Sequence, residues 1–187
     1  MRKKSKIIAS SLIALSLFAA ACGSDDKASD GSIAGVAFDT GGRGDGTFND
    51  SAATGGEQAA SELGVEIKEL EATVDEDRKA NLELLVTGGA KVIVGVGFMF
   101  TDPMTEVATA NPEVAFGIVD GFINGACGDP ITLTNVACLL FAAGQGSFLV
   151  GAAAALKSES GHIGFIGGQE ISLIQEFEAG YTAGAKY

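Results

Sequence analysis

The chain has 187 residues, 47% of them hydrophobic and 27 of them glycine, which suits a packed α/β domain and excludes a disordered chain. Its formal net charge is -12; leaving out Arg2, Lys3, Lys4 and Lys6, which precede a segment expected to be removed, takes it to about -16. Acidity on this scale excludes nucleic acid as a partner.

The N-terminus reads as an export signal. M-R-K-K-S-K supplies a positive region, and Ile7 to Ala21 form an apolar run too short to span a membrane as a stable helix. Small residues stand before Cys22 and polar ones after it, in F-A-A-A-C-G-S. This resembles a bacterial lipoprotein signal, with cleavage before Cys22 and lipid on its thiol, although Ala19 stands where leucine is usual. An ordinary secretory signal cut at A-x-A leaves Cys22 incidental. Lipid would hold the protein on a membrane surface without spanning it, at the outer face of the bacterial cytoplasmic membrane or on its periplasmic side. Gly23 to Gly31 are small, polar and charged, and read as a solvated tether.

From Ile33 the pattern alternates between short apolar runs and helical periods, the signature of βαβ units and a parallel sheet. Gly35 to Phe38 form a first buried strand, ending on Asp39. Thr47 and Asp50 make an S/T-x-x-D capping pattern for a helix that stops at Gly64. Val65, Ile67 and Leu70 alternate as a second strand. Asp75, Glu76 and Asp77 place negative charge at the start of the next helix, which Gly88-Gly89 end. Val92 to Val96 is an unbroken apolar strand, as expected in a sheet covered on both faces. Asp102 before Pro103 starts a third helix, and Val114 to Val119 is a strand finishing on Asp120. A loop follows, then a strand over Val136 to Phe141, a helix over Gln145 to Leu156, and a strand over His162 to Ile166. A last helix is capped by Ser172 and Gln175.

The glycine-rich loop between Asp39 and Phe48 fails as a nucleotide fingerprint. Starting at Gly42, Thr47 stands where the third glycine of G-x-G-x-x-G belongs, and there is no Walker lysine. Asp39, Asp45 and Asp50 form a possible oxygen-ligand metal cluster, such as a nucleoside hydrolase would use, but at the wrong spacing for its doubled-aspartate motif. Arg43-Gly44-Asp45 matches an adhesion tripeptide, which a glycine loop yields by chance. Cys127 and Cys138 lie on the exported side and either form a disulfide, contributing about 2 to 3 kcal/mol, or remain buried thiols. The single histidine, His162, opens a strand away from both and reads as structural.

Five ordered blocks carry a family resemblance: F-D-T-G-G-R-G-D-G-T-F-N-D, V-I-V-G-V-G-F, N-P-E-V-A-F-G-I-V-D, N-V-A-C-L-L-F-A-A-G-Q-G-S-F-L-V-G-A-A-A-A-L and H-I-G-F-I-G-G-Q-E-I-S-L-I-Q-E-F-E-A-G-Y. Together they resemble the basic membrane protein family of substrate-binding lipoproteins of ABC transporters, typified by the purine nucleoside receptor. The resemblance implies a type I periplasmic-binding-protein fold, two Rossmann-like lobes closing on a ligand, with a monomer serving ABC permease subunits, no cofactor, no metal and no catalytic residue. Matched one at a time, Asp39 is the acidic residue after the first strand, Phe48 the aromatic that stacks on the base, Asn49 a polar base contact and Asp120 the acidic residue ending the fourth strand. Phe98 and Gly168 are weaker assignments. The chemistry agrees. A phenyl ring covers a purine face at roughly 1 to 3 kcal/mol, Asn49 suits a base edge, and ionised carboxylates accept from ribose hydroxyls while disfavouring phosphates. A surface sensor with the same fold and no permease is an alternative.

The expected organisation is a signal peptide over 1–21, a lipidated tether over 22–31, a ligand-binding lobe over 32–157 and, over 158–187, a crossover and the first βα unit of a second lobe. Family members run longer, so the chain as written is expected to hold half a cleft and to bind nucleoside weakly.

Overall fold

The computed structural model describes residues 31–187; the expected signal peptide, tether and lipidated Cys22 lie outside the described residues. The elements are β1 (Ile33–Phe38), α1 (Phe48–Leu63), β2 (Glu66–Glu71), α2 (Asp77–Thr87), β3 (Ala90–Val96), a 3-10 turn (Phe98–Phe100), α3 (Thr101–Ala110), β4 (Ala115–Val119), β5 (Val136–Leu139), α4 (Ala143–Lys157) and α5 (Ser172–Lys186). All strand pairs are parallel, in the order β2-β1-β3-β4-β5. The chain steps sideways from β1 to β2, then crosses back to β3 and continues outward. That reversal opens a crevice at the carboxyl ends of β1 and β3, where open parallel sheets place ligands.

Side-chain alternation divides the core in two. Val36, Phe38 and Val96 meet Ala53 of α1 on one face of the sheet. On the other, Ile93, Phe116 and Ile118 pack with Leu82 and Leu85 of α2 and with Phe100, Met104 and Val107 around α3. The face that α1 covers is open from β3 to the β5 edge, where Val92 of β3 and Leu139 of β5 are half exposed.

Several boundaries differ from the sequence expectation for identifiable reasons. Helix α3 begins at Thr101, ahead of Asp102, because the 3-10 turn buries Phe100 completely and feeds straight into it; Thr101 Oγ1 donates to the Phe98 carbonyl at 2.6 Å. Strand β5 stops at Leu139, two residues short of Phe141. His162 to Ile166 do not form a strand. No neighbouring strand lies beside them among the described residues; the His162 carbonyl instead accepts from Ser158 Oγ at 2.9 Å, and Ile166 is 98% exposed. The hydroxyl of Ser172 caps nothing, since α5 begins from an extended Ile171.

Helices α4 and α5 pack chiefly on each other. The positions a β-carbon would take at Gly180 and Gly184 collide with the backbones of Gly144 and Phe148, so only hydrogen at these sites lets the two helices approach this closely. Cys127 and Cys138 are joined by a disulfide with Cα atoms 6.0 Å apart, tying the loop after β4 to β5.

Candidate functional site

Asp39 follows the buried Phe38 at the mouth of β1. Its Oδ1 accepts from the Thr40 amide at 2.6 Å and from Arg78 Nε at 2.7 Å, and Arg78 Nη2 lies 2.6 Å from the same oxygen. Arg78, in the first turn of α2, is 4% exposed, and its Nη1 donates to Asp75 at 2.9 Å. Burial works against the charged guanidinium, but the bonds to Asp39 and Asp75 outweigh it and hold its pKa above the ordinary value. The sequence reading missed Arg78, whose one signal was a lone cation inside the acidic run D-E-D-R.

The other oxygen, Oδ2, faces the end of β3. A β-carbon at Gly97 would sit 3.3 Å from Asp39 Oδ2 and 3.8 Å from Phe48 Cε1. Gly97 has φ 114 and ψ 149, a conformation essentially reserved for glycine, so the chain leaves this spot bare on two counts. Gly97 is thus a second residue the sequence reading passed over, standing directly before Phe98 in the G-F block. Phe98 itself is half-buried in the 3-10 turn. Phe48 is 39% exposed, so its ring is not a core residue of α1.

The loop that presents Phe48 and Asn49 is held by two interlocked carboxylates. Asp45 accepts from the amides of Asn49 at 2.8 Å, Thr47 at 2.9 Å and Asp50 at 3.2 Å. Asp50 reaches back to the amides of Gly44 and Gly46, both at 2.8 Å. The capping role expected of Thr47 therefore belongs to Asp45; the Thr47 side chain makes no cap bond. The Asn49 amide bond, then that of Thr47, pulls the Asp45 pKa below its ordinary value. With the folded value lowered, the clasp's contribution is fully present above the ordinary aspartate range and is lost as pH falls through the lowered value. An amide NMR titration should show the Thr47 and Asn49 resonances unmoved until that acid range and shifting together within it.

Asn49 is 6% exposed, and its Oδ1 has no hydrogen-bond partner among the described residues. A buried acceptor left unsatisfied is costly and marks a position for which an outside donor is suited.

Asp120 ends β4 with φ 61, the single positive φ among the described non-glycine residues, and its amide donates to the Leu139 carbonyl at 2.9 Å. A β-carbon at Gly121 would collide with the Ile118 side chain and stand 3.4 Å from the Phe98 α-carbon, so the chain just after Asp120 runs beside the 3-10 turn that carries Phe98. Burial, and then Glu176 of α5, raises the Asp120 pKa. Because the folded value is raised, stability falls as pH climbs from the ordinary aspartate range through the raised value. Asp120→Asn, whose side chain tolerates the left-handed conformation, should remove that slope, which lies above the ordinary aspartate range. It should also raise the melting temperature at neutral pH while weakening a hydroxyl-bearing ligand about 10-fold; thermal melts and calorimetry read the two effects.

Gly168 is exposed, and the neighbouring Gln169 Nε2 approaches Met99 Sδ at 3.8 Å, bringing that turn over the 3-10 turn. The adhesion tripeptide is not presented. Arg43 is bound to Glu57 at 2.6 Å and Glu69 at 3.1 Å, and its amide donates to Glu71. Nor do Asp39, Asp45 and Asp50 converge: each is engaged separately, by Arg78 or by backbone amides, and among the described residues no group of three metal-ligating side chains comes together.

The model of the family described as ABC transporter substrate-binding protein PnrA-like matches residues 33–187. The chain belongs to this family. This PnrA-like chain is 34% identical to a CD4+ T-cell-stimulating antigen of Listeria innocua, with 100% of the chain and 54% of that protein aligned. It is 36% identical to basic membrane protein A2 of Borrelia garinii, over 76% of the chain and 41% of that protein. A solved ABC transporter solute-binding protein from Aeropyrum pernix K1 matches 83% of the chain and 43% of its own length, with TM-score 0.70 and 31% identity. The fold is that of the type I periplasmic solute-binding proteins. The PnrA-like chain spans about half the length of the curated relatives it matches. No helix among the described residues is long and apolar enough to cross a membrane.

Proposed function

We propose that this PnrA-like chain carries the first lobe of a lipid-anchored, extracytoplasmic solute-binding protein that captures a purine nucleoside and delivers it, without a chemical step, to an ABC permease. The observation that carries this reading is the exposed Phe48 ring beside Asp39 Oδ2 over the bare Gly97, at the point where the strand order reverses. A flat apolar base suits the ring. A sugar hydroxyl suits the free carboxylate oxygen and Asp120, and a donor on the base edge suits Asn49 Oδ1. The acid-lined crevice disfavours phosphorylated ligands. Packing of α4 on α5 supports placing the division between lobes near Leu140 to Ala142, where the sheet ends, ahead of the boundary expected after residue 157.

Calorimetry on the full-length protein with inosine, guanosine and adenosine tests the proposal. Binding of a nucleoside without release of free base is the expected result. Appearance of free base, with or without added calcium, overturns the reading as a carrier, and binding of none of the three overturns the ligand class. Adjacent ATPase and permease genes are expected; without them the same fold serves as a surface sensor.

A further inference from the structure

We propose that Arg78 is a positioning residue that turns Asp39 into a one-oxygen acceptor, so that the site selects a neutral hydroxyl group. This rests on the reading of Asp39 as a ligand contact. An arginine meeting a carboxylate in the common fork arrangement gives one donor to each oxygen and leaves neither free. Here both arms converge end-on: Nε at 2.7 Å and Nη2 at 2.6 Å address Oδ1, which the Thr40 amide also approaches at 2.6 Å. Three donors exhaust that oxygen. Oδ2 accepts no hydrogen bond among the described residues and lies 3.3 Å from the point where a β-carbon on Gly97 would stand, beside Phe48.

The guanidinium cannot relax away from this arrangement. It is buried, and its remaining arm is held by Asp75 at 2.9 Å, so it is fixed from two sides. Its charge offsets that of Asp39, which lowers the attraction the site holds for a cationic ligand and leaves directional acceptance as its main offering. A hydroxyl donates once and matches a single free oxygen. Lysine would not reproduce this, since an ammonium makes a point contact without the second arm.

The test compares inosine with dideoxyinosine, which lacks the hydroxyls on the sugar ring, on the full-length protein and two variants. The unaltered protein should prefer inosine. Arg78→Met should weaken inosine roughly 10-fold or more and dideoxyinosine less than about twofold, collapsing the preference, and Arg78→Lys, which keeps the charge but lacks the second arm, should collapse it likewise. Equal weakening of both ligands, or an unchanged preference in both variants, overturns the proposal. A structure of unliganded Arg78→Lys, which keeps the buried charge pair, decides the matter independently of the ligand. Oδ2 turned away from Gly97 supports the positioning role, and a carboxylate left in place overturns it. Should the unaltered protein bind no nucleoside, the ligand reading fails while this structure still judges Arg78.

Discussion

Asp39→Ala is expected to destabilise the chain by roughly 3 kcal/mol and to abolish measurable ligand binding. The stability loss follows from what remains. Arg78 stays buried with Asp75 as its sole carboxylate partner, and a desolvated guanidinium deprived of one counter-charge costs far more than the pair contributed while intact. Asp75 is well exposed, so it softens the loss and places it at the lower end of what breaking a buried pair costs. Urea unfolding reads the change as a lower midpoint with little change in slope. The double variant Asp39→Ala, Arg78→Met removes both charges and should recover most of the stability while leaving binding lost. A single-variant loss under about 1 kcal/mol would show that Asp75 suffices for Arg78.

Phe48→Ala is expected to reverse that profile, with affinity for a purine nucleoside falling roughly 5- to 150-fold and stability hardly moving. The ring is 39% exposed at the first position of α1, and the loop before it is held by Asp45 and Asp50 without its help. Phe48→Leu keeps apolar area but not a flat face, so it should fall between. Calorimetry on the three proteins, paired with thermal melts, separates stacking from general packing. A drop in melting temperature as large as the loss in affinity would mean that the ring supports the fold instead.

The parallel sheet was legible in the sequence because its strands are written as apolar runs, of which Val92 to Val96 is the plainest, and because Gly64 and Gly88-Gly89 mark helix ends by backbone freedom alone. Asp39 and Asp120 were legible as carboxylates at strand ends. What escaped depends on distance in the chain. Nothing in D-E-D-R says that its arginine lies buried against a carboxylate 39 residues earlier, and as a local pattern it reads as a solvated helix start. Asp45 escaped for a subtler reason: the capping template is satisfied by Thr47 and Asp50, and only the loop's path brings a better acceptor to the same amides. His162 to Ile166 show the opposite failure. An apolar run specifies a face to bury, but a strand exists only where a ladder partner is at hand. The two cysteines stood between these cases, since spacing permits a bridge and the return of the loop to β5 is what brings their Cα atoms to 6.0 Å.

The glycine contacts between α4 and α5 bear on motion. Two helices whose backbones touch at Gly144, Phe148, Gly180 and Gly184 have no side-chain layer to shear across. Any swing relative to the sheet is therefore expected to carry both as one body. Fluorophores on α4 and α5 should keep a constant separation while either one changes its distance from α1.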